Sequence, residues 1–361
     1  MRVAVLHDHL SFIGGGERVA LTLASAFGAD LFVTDLDPEL PRKAGFPDVH
    51  ATELAKLPTT PTLRQAAQAK AFERARLPRY DAYVLSGNWA VFAAKAHHPN
   101  VWYCHTPVRV FYDLRDPFLE SLRRWERWAA EGWMRRWEPR YEAAAAKADR
   151  IVSNSRNVAD RVQKYLRRAS SVVYPPVDTN RYRFREIGDF WLSVNRLSHE
   201  KRIDLQMEAF RRLPSERLIV VGGSQAGIDA VRIMRGLDPP SNVELLGEVE
   251  EDRLLDLYGR CKGFLATSLD EDFGLTPVEA MASGKCVVAV DEGGYRETVV
   301  HGETGWLVPP TVEAVVGALE GATPERLRSL RFACELRARR FDRSVFLERM
   351  RTMLEEVTGR T

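Results

Sequence analysis

Along this chain, short apolar runs alternate with longer stretches in which apolar residues recur every three or four positions. Val3-Ala4-Val5-Leu6, Leu31-Phe32-Val33, Tyr83-Val84-Leu85, Val101-Trp102-Tyr103 and Arg150-Ile151-Val152 are short and densely apolar. They read as strands covered on both faces, which is the pattern of a parallel sheet. Segments such as residues 18–27 and 157–166 between them carry helical periodicity. The run Val172-Val173-Tyr174-Pro175-Pro176-Val177-Asp178 breaks this rhythm, because two prolines bar a helix and favour extended chain. The alternation then restarts at 191–194, 218–221, 243–246, 263–266 and 287–290. The expectation is an α/β protein with two tandem doubly wound, Rossmann-like domains facing a cleft. Residues 1–171 and 181–340 form the domains, and 172–180 the linker. Residues 341–361 read as an amphipathic helix placed to pack back on the N-terminal domain. Ligands of such sheets gather at the carboxyl ends of the strands.

The bulk numbers fit that division. A chain of 361 residues exceeds what one core usually supports. Its formal charge of +2 hides an asymmetry: residues 1–170 carry 26 Lys and Arg against 19 Asp and Glu, the rest 26 against 31. The N-terminal half therefore favours an anionic partner. Cys104, Cys261, Cys286 and Cys334 are scattered and read as buried thiols in a reducing compartment. The opening MRVAVLHDHL is interrupted by His7-Asp8-His9, so it reads neither as a signal peptide nor as a membrane span. A cytoplasmic protein is expected.

Candidate chemistry sits after the strands. Gly14-Gly15-Gly16-Glu17 between the first strand and its helix would let backbone N–H groups approach an anion. A dinucleotide fingerprint would need a third glycine where Val19 stands, which weighs against an NAD oxidoreductase despite Asp35. In the second half, Arg196 and Lys201 follow one strand and are spaced to bring two cations to one diphosphate, or else to form a solvated turn. Gly222-Gly223 follows the next strand and Gly247-Glu248-Val249 the third, where a flat base would meet main-chain groups. Within LDEDFGLTPVEAMASG, residues 269–284, Thr276-Pro277-Val278-Glu279 reads as a capping box that accounts for Glu279 but not for Glu271.

Together, Arg196 and Lys201, Gly222-Gly223, the segment EDFGLTPVE from Glu271 to Glu279, and Asp291-Glu292-Gly293-Gly294-Tyr295-Arg296-Glu297 resemble a family 4 glycosyltransferase. Gly14 to Glu17, Tyr103-Cys104-His105-Thr106-Pro107 and Ser153-Asn154-Ser155 fit the same family. The run YCHTPVRVFYD resembles the mannosyltransferase branch that builds O-antigen and related glycans. The resemblance implies the GT-B fold, with a nucleotide-sugar donor, GDP-mannose or a UDP-sugar, on the C-terminal domain. It makes Glu271 the carboxylate on the sugar hydroxyls, Glu279 the ribose ligand, and Arg196 and Lys201 the diphosphate cations. Phe273, Gly274, Leu275 and Thr276 join Gly222, Gly223, Gly247 and Val249 around the donor. His105 faces the sugar from the acceptor side, and Gly14, Gly15, Gly16, Glu17 and Arg109 form an acceptor or phosphate loop. The family transfers with retention; no metal and no further cofactor are expected. Many relatives have glycine before the diphosphate arginine where this chain has Asn195, which raises the question of how tight that turn is. The pairs Asp35/Asp37 and Asp270/Asp272 match the metal-binding DxD pattern of another glycosyltransferase fold, a match that arises often by chance.

Residues 122–150 hold Trp125, Trp128, Trp133 and Trp137 among seven arginines. Each tryptophan pair shares a helix face, so core packing is the reading favoured here, with peripheral contact to an anionic membrane as the alternative. No recognition motif accompanies the charge, and nucleic acid is not expected. The whole points to a hexosyltransferase acting on a saccharide or lipid-linked glycan acceptor; a catalytically idle nucleotide-sugar-binding subunit is the competing class.

Overall fold

The computed structural model describes residues 1–223 and 238–360. The chain forms two compact units, one of residues 1–176 with 346–361 and one of residues 177–345. The first holds a seven-stranded sheet made of β1 (Val3–Leu10), β2 (Asp30–Leu36), β3 (Ala51–Ala55), β4 (Ala82–Ser86), β5 (Asn100–Cys104), β6 (Arg150–Ser153) and β7 (Ser171–Val172). Its order is β3-β2-β1-β4-β5-β6-β7, and its paired strands run parallel. Helices cover both faces, so Val3 to Leu6 are almost wholly buried, as the uniform apolar run requires. The helix Arg343–Thr358 enters this unit with Phe346, Met350 and Leu354, one helical stripe, inside the core that holds Val5, Leu21 and Tyr103.

The second unit repeats the plan with β8 (Phe190–Val194), β9 (Arg217–Val221), β10 (Val243–Gly247), β11 (Gly263–Ala266), β12 (Val287–Val290) and β13 (Gly305–Val308), in the order β10-β9-β8-β11-β12-β13. Both sheets reverse their strand order once, between β1 and β4 in the first and between β8 and β11 in the second. Loops diverge to opposite faces there and leave a crevice at the strands' carboxyl ends.

Two local readings are corrected. The helix Leu275–Ala282 is not capped by Thr276. Its N-cap is Gly274 at φ 89°, with no side-chain capping bond. A left-handed residue that glycine adopts without strain turns the chain two residues earlier, and Pro277 falls within the first turn, where its missing N–H is not needed. The tryptophans of the helix Arg124–Ala145 divide: Trp137 is buried and Trp133 packs on the same core, whereas Trp125 and Trp128 are 67% and 75% exposed. Core packing thus accounts for only one of the two pairs. All four cysteines are buried free thiols.

Candidate active site

In the C-terminal unit the loop after β8 carries Arg196 and Lys201, and the loop after β11 carries Glu271. Lys201 Nζ lies 2.6 Å from Glu271 Oε2, with the two side chains 13% and 21% exposed. Burial pushes the Glu271 carboxyl up, but the ammonium of Lys201 and the charge of Arg196 outweigh it and hold Glu271 below the usual carboxylate range. Arg196 is exposed at the same edge. Two cations and one ionised carboxylate therefore meet at the switch point of the sheet.

The surrounding bonds fix that arrangement. The Thr267 hydroxyl donates to the Lys201 carbonyl at 2.8 Å, and the Leu269 N–H donates to the Glu200 carbonyl at 2.7 Å. Arg202 grips Glu292 with both terminal guanidinium nitrogens, at 2.8 and 3.3 Å, and Glu292 also accepts the Asp270 N–H at 3.2 Å. Behind them the Gly294 N–H donates to the Glu271 carbonyl at 2.7 Å. A Cβ on Gly294 would lie 2.4 Å from the Phe273 Cα and one on Gly293 2.4 Å from the Glu271 carbonyl oxygen, so the two glycines of the DEGGYRE stretch are what let the two loops touch. Arg202 did not stand out in the sequence, and Glu292 did so only as part of the DEGGYRE stretch; their pairing spans 90 residues.

The turn before Arg196 is tight, and Asn195 does not supply the tightness. Gly222 does: at φ 139° it brings its backbone so close that a Cβ would sit 1.8 Å from the Asn195 carbonyl oxygen. Leu197 N–H donates to the Gly223 carbonyl at 3.0 Å, and Gly222 N–H to the Gly247 carbonyl at 2.8 Å, lacing the ends of β8, β9 and β10 together. Phe273 and Gly274 are buried, Leu275, Thr276, Gly247 and Val249 half-buried. Glu279 is half-buried and accepts the Tyr258 hydroxyl at 2.7 Å on one oxygen, a partner whose wide sequence separation hid it from local patterns.

The N-terminal unit gathers a second constellation at its own switch point. His7 on β1 lies opposite Ser86 on β4. Its Nδ1 is 3.0 Å from the Ser86 carbonyl oxygen and 3.1 Å from Ser86 Oγ, and its Nε2 is 3.5 Å from Glu17 Oε1. Ser86 Oγ reaches His105 Nε2 at 3.0 Å. Glu17 also accepts the Gly14 N–H at 2.9 Å, so the glycine-rich turn is braced by its own carboxylate. Burial works against ionisation of Glu17, yet His7 and His9 hold it down to about 2. Burial, helped by the charge of His7, pushes His105 down to about 3, so its ring is neutral at neutral pH. Asp8 accepts the N–H groups of Asn88, Trp89 and Ala90 at 2.7, 2.8 and 2.7 Å and anchors the loop after β4. Arg109 forms a close pair with Asp113, at 2.6 and 2.9 Å. Sequence reasoning missed His7 and Ser86; a histidine inside an apolar strand next to a carboxylate was the available signal. Among the described residues no group of three or more His, Cys, Asp or Glu is arranged to hold a metal ion.

Residues 13–181 match the model of Glycosyltransferase Family 4, and residues 178–337 that of Glycosyl transferases group 1. The chain belongs to glycosyltransferase family 4. The alpha-1,3/1,6-mannosyltransferase ALG2 of Dictyostelium discoideum is 25% identical across 99% of this chain and 98% of its own length. Two solved structures share the fold of this glycosyltransferase at 18% identity. The Anabaena protein HepE with UDP-glucose has a TM-score of 0.77 over 99% of this chain and 100% of its own. The sucrose-phosphate synthase of Thermosynechococcus elongatus has a TM-score of 0.78 over the whole of both chains. The fold is GT-B, with a parallel sheet in each unit.

Proposed function

We propose that this glycosyltransferase moves mannose from GDP-mannose to a glycan or lipid-linked saccharide, with retention and without a metal ion. The observation that carries the reading is the Lys201–Glu271 pair beside Arg196 at the switch point of the second sheet. Arg196 and Lys201 take the donor diphosphate and stabilise the charge that grows on it as the bond from the anomeric carbon to the phosphate oxygen breaks. Preorganised donors of this kind are worth about 10²–10³ each in rate. Glu271 orients the sugar hydroxyls. Glu279, one oxygen on Tyr258, offers the other to the ribose. The acceptor oxygen bonds to the same face of the anomeric carbon, and its proton leaves with the phosphate. The N-terminal unit takes the acceptor, with His105 as its substrate-facing group. Mannose rests on the likeness to ALG2; a UDP-sugar, as held by HepE, is the second reading.

Calorimetric titration with GDP-mannose, GDP, UDP-glucose and UDP in the presence of a chelator tests the donor. Saturable binding of the guanosine pair is expected, weakened on Glu279→Gln. Binding of the uridine pair alone overturns mannose, and binding of neither overturns the donor site.

The exposed pair Trp125 and Trp128 supports a peripheral membrane contact at the cytoplasmic face. Ala129 and Gly132 continue their helix face by spacing, and Arg123, Arg124, Arg127, Arg135 and Arg136 are exposed around it. Indoles seat at the headgroup level and arginines meet anionic lipid, so the surface is complementary to an anionic bilayer. Among the described residues no helix is long and apolar enough to cross a membrane. Flotation with phosphatidylglycerol vesicles is expected to capture the protein, less so at high salt, and the double change Trp125→Ser/Trp128→Ser is expected to weaken capture about tenfold. Salt-independent or absent capture removes the contact; so does concentration-dependent dimerisation that the same change abolishes.

A further inference from the structure

The N-terminal constellation holds more ionisable groups than binding an acceptor calls for, and they converge on one serine. Ser86 Oγ stands between His7 Nδ1 at 3.1 Å and His105 Nε2 at 3.0 Å. A hydroxyl has a single proton, so it donates to one of the two rings only. His7 Nδ1 also lies 3.0 Å from the Ser86 carbonyl, which can only accept.

Two arrangements keep an N–H on His7 Nε2 towards the Glu17 carboxylate; the second of them gives up the bond to the Ser86 carbonyl. In the first, His7 is doubly protonated: Nε2–H faces Glu17 and Nδ1–H donates to the Ser86 carbonyl. The Ser86 hydroxyl is then free to donate to His105 Nε2, and the neutral ring of His105 must carry its proton on Nδ1. In the second, His7 keeps a proton on Nε2 alone, and its bare Nδ1 draws the Ser86 hydroxyl proton. His105 Nε2 must then donate to Ser86 Oγ, which leaves its Nδ1 an acceptor. Among the described residues no other hydrogen bond is formed by the His105 ring, and the side chain is partly exposed. Nδ1 is therefore the nitrogen left for a ligand.

We infer that Glu17 and His7 are positioning residues that act through Ser86 to keep the His105 proton on Nδ1, so that His105 offers a substrate hydroxyl a hydrogen-bond donor. The inference rests on the reading of His105 as substrate-facing only for its last clause; the proton arrangement stands on the contacts. The groups that face His7 are Glu17 from the first helix, Asp8 and His9 from its own strand, and His105 from the loop after β5. Burial disfavours a charged His7, but the hydrogen bond and charge of Glu17, with the charge of Asp8 and the Ser86 carbonyl, outweigh it and raise its pKa. The first arrangement is thus the one expected at neutral pH. A donor at Nδ1 grips a hydroxyl through its oxygen and leaves the hydroxyl proton for a second partner, a distinction the other tautomer would reverse.

Two-bond proton–nitrogen correlation spectra of the whole protein labelled with ¹⁵N-histidine read the tautomer directly. The proton of His105 is expected on Nδ1 at neutral pH. It is expected to move to Nε2 in the unaltered protein as pH rises through the raised pKa of His7, because the Glu17 carboxylate keeps the remaining His7 proton on Nε2; in Glu17→Gln, where His7 is already neutral, that pH-driven move should be lost. Ser86→Ala should uncouple the two rings, so that the His105 signals no longer follow His7. A proton on Nε2 at neutral pH, a tautomer that ignores the pH rise, or a pH-driven move that persists unchanged in Glu17→Gln, overturns the inference. The readout needs no turnover and no nucleotide. A failed donor titration leaves it standing, and a wrong tautomer leaves the donor titration standing.

Discussion

Lys201→Met is expected to lower turnover by about 10²–10³-fold while the C-terminal unit stays folded. Lys201 does two things in the structure. It supplies a cation at the switch point of the sheet, and it neutralises Glu271 at 2.6 Å. Without it the Glu271 carboxyl keeps its burial, loses its largest opposing influence, and its pKa rises. Any fraction that stays ionised then repels the diphosphate it should help to seat. The nucleotide diphosphate is accordingly expected to bind more weakly to Lys201→Met. Glu271→Gln alone should bind it as well as or better than the unaltered protein, since Lys201 is released from its partner, yet turn over slowly. The double variant should bind the diphosphate better than Lys201→Met and react no faster. This non-additive pattern is the mark of two groups acting as a unit. Simple addition of the two single-variant changes in binding, or a turnover within about threefold of the starting value for Lys201→Met, would remove the pair from the chemistry. Thermal melting of each variant separates a chemical loss from an unfolded one.

The low pKa of Glu271 adds a pH signature. A carboxyl held below its usual value contributes stability that is present above the ordinary range and lost as pH falls through the folded value. The pair should therefore survive mild acid, with donor affinity falling only below the ordinary carboxylate range.

How much of this was legible beforehand follows from where each contact is encoded. Strands covered on both faces announce themselves as unbroken apolar runs, so β1, β5, β9 and β12 were plain. By contrast β3, Ala51–Ala55, is a half-buried edge strand with Thr52 and Glu53 in its middle, and β7 is two residues long ahead of the prolines. The Thr276 box obeyed the local rule and still failed, because Gly274 in the left-handed region starts the helix first. Helical spacing paired the tryptophans correctly but holds no information on which pair faces the core. Arg196, Lys201 and Glu271 were readable as a family pattern, whereas their braces were not. Glu292 reaches Arg202 across 90 residues, and His7 reaches Ser86 across 79. Such pairs are set by the order of strands in the sheet, which no local window contains.

The other large effect expected is on stability and arises from the N-terminal cluster. Glu17→Gln keeps the contact to the Gly14 N–H, since glutamine serves that position in a capping box, and so isolates the charge. The carboxylate is 9% exposed and faces His7, which is 4% exposed. Breaking a buried ion pair typically costs about 3–5 kcal/mol. The loss here should sit near 3 kcal/mol, because His7, unlike arginine, can shed its proton instead of remaining a stranded charge. The pH dependence fixes the assignment. Glu17, held to about 2, contributes stability that is whole above its usual value of 4.5 and drains away as pH falls towards about 2. His7, raised by the same partner against its burial, contributes stability that is whole below 6.5 and fades as pH climbs through its folded value. The unaltered protein should thus gain most from the pair between about 4.5 and 6.5. The difference from Glu17→Gln, followed by urea unfolding across that range, should narrow on either side. A difference below about 1 kcal/mol in the middle of the window, or one that does not change with pH, would show that Glu17 and His7 are not the coupled charges their geometry makes them.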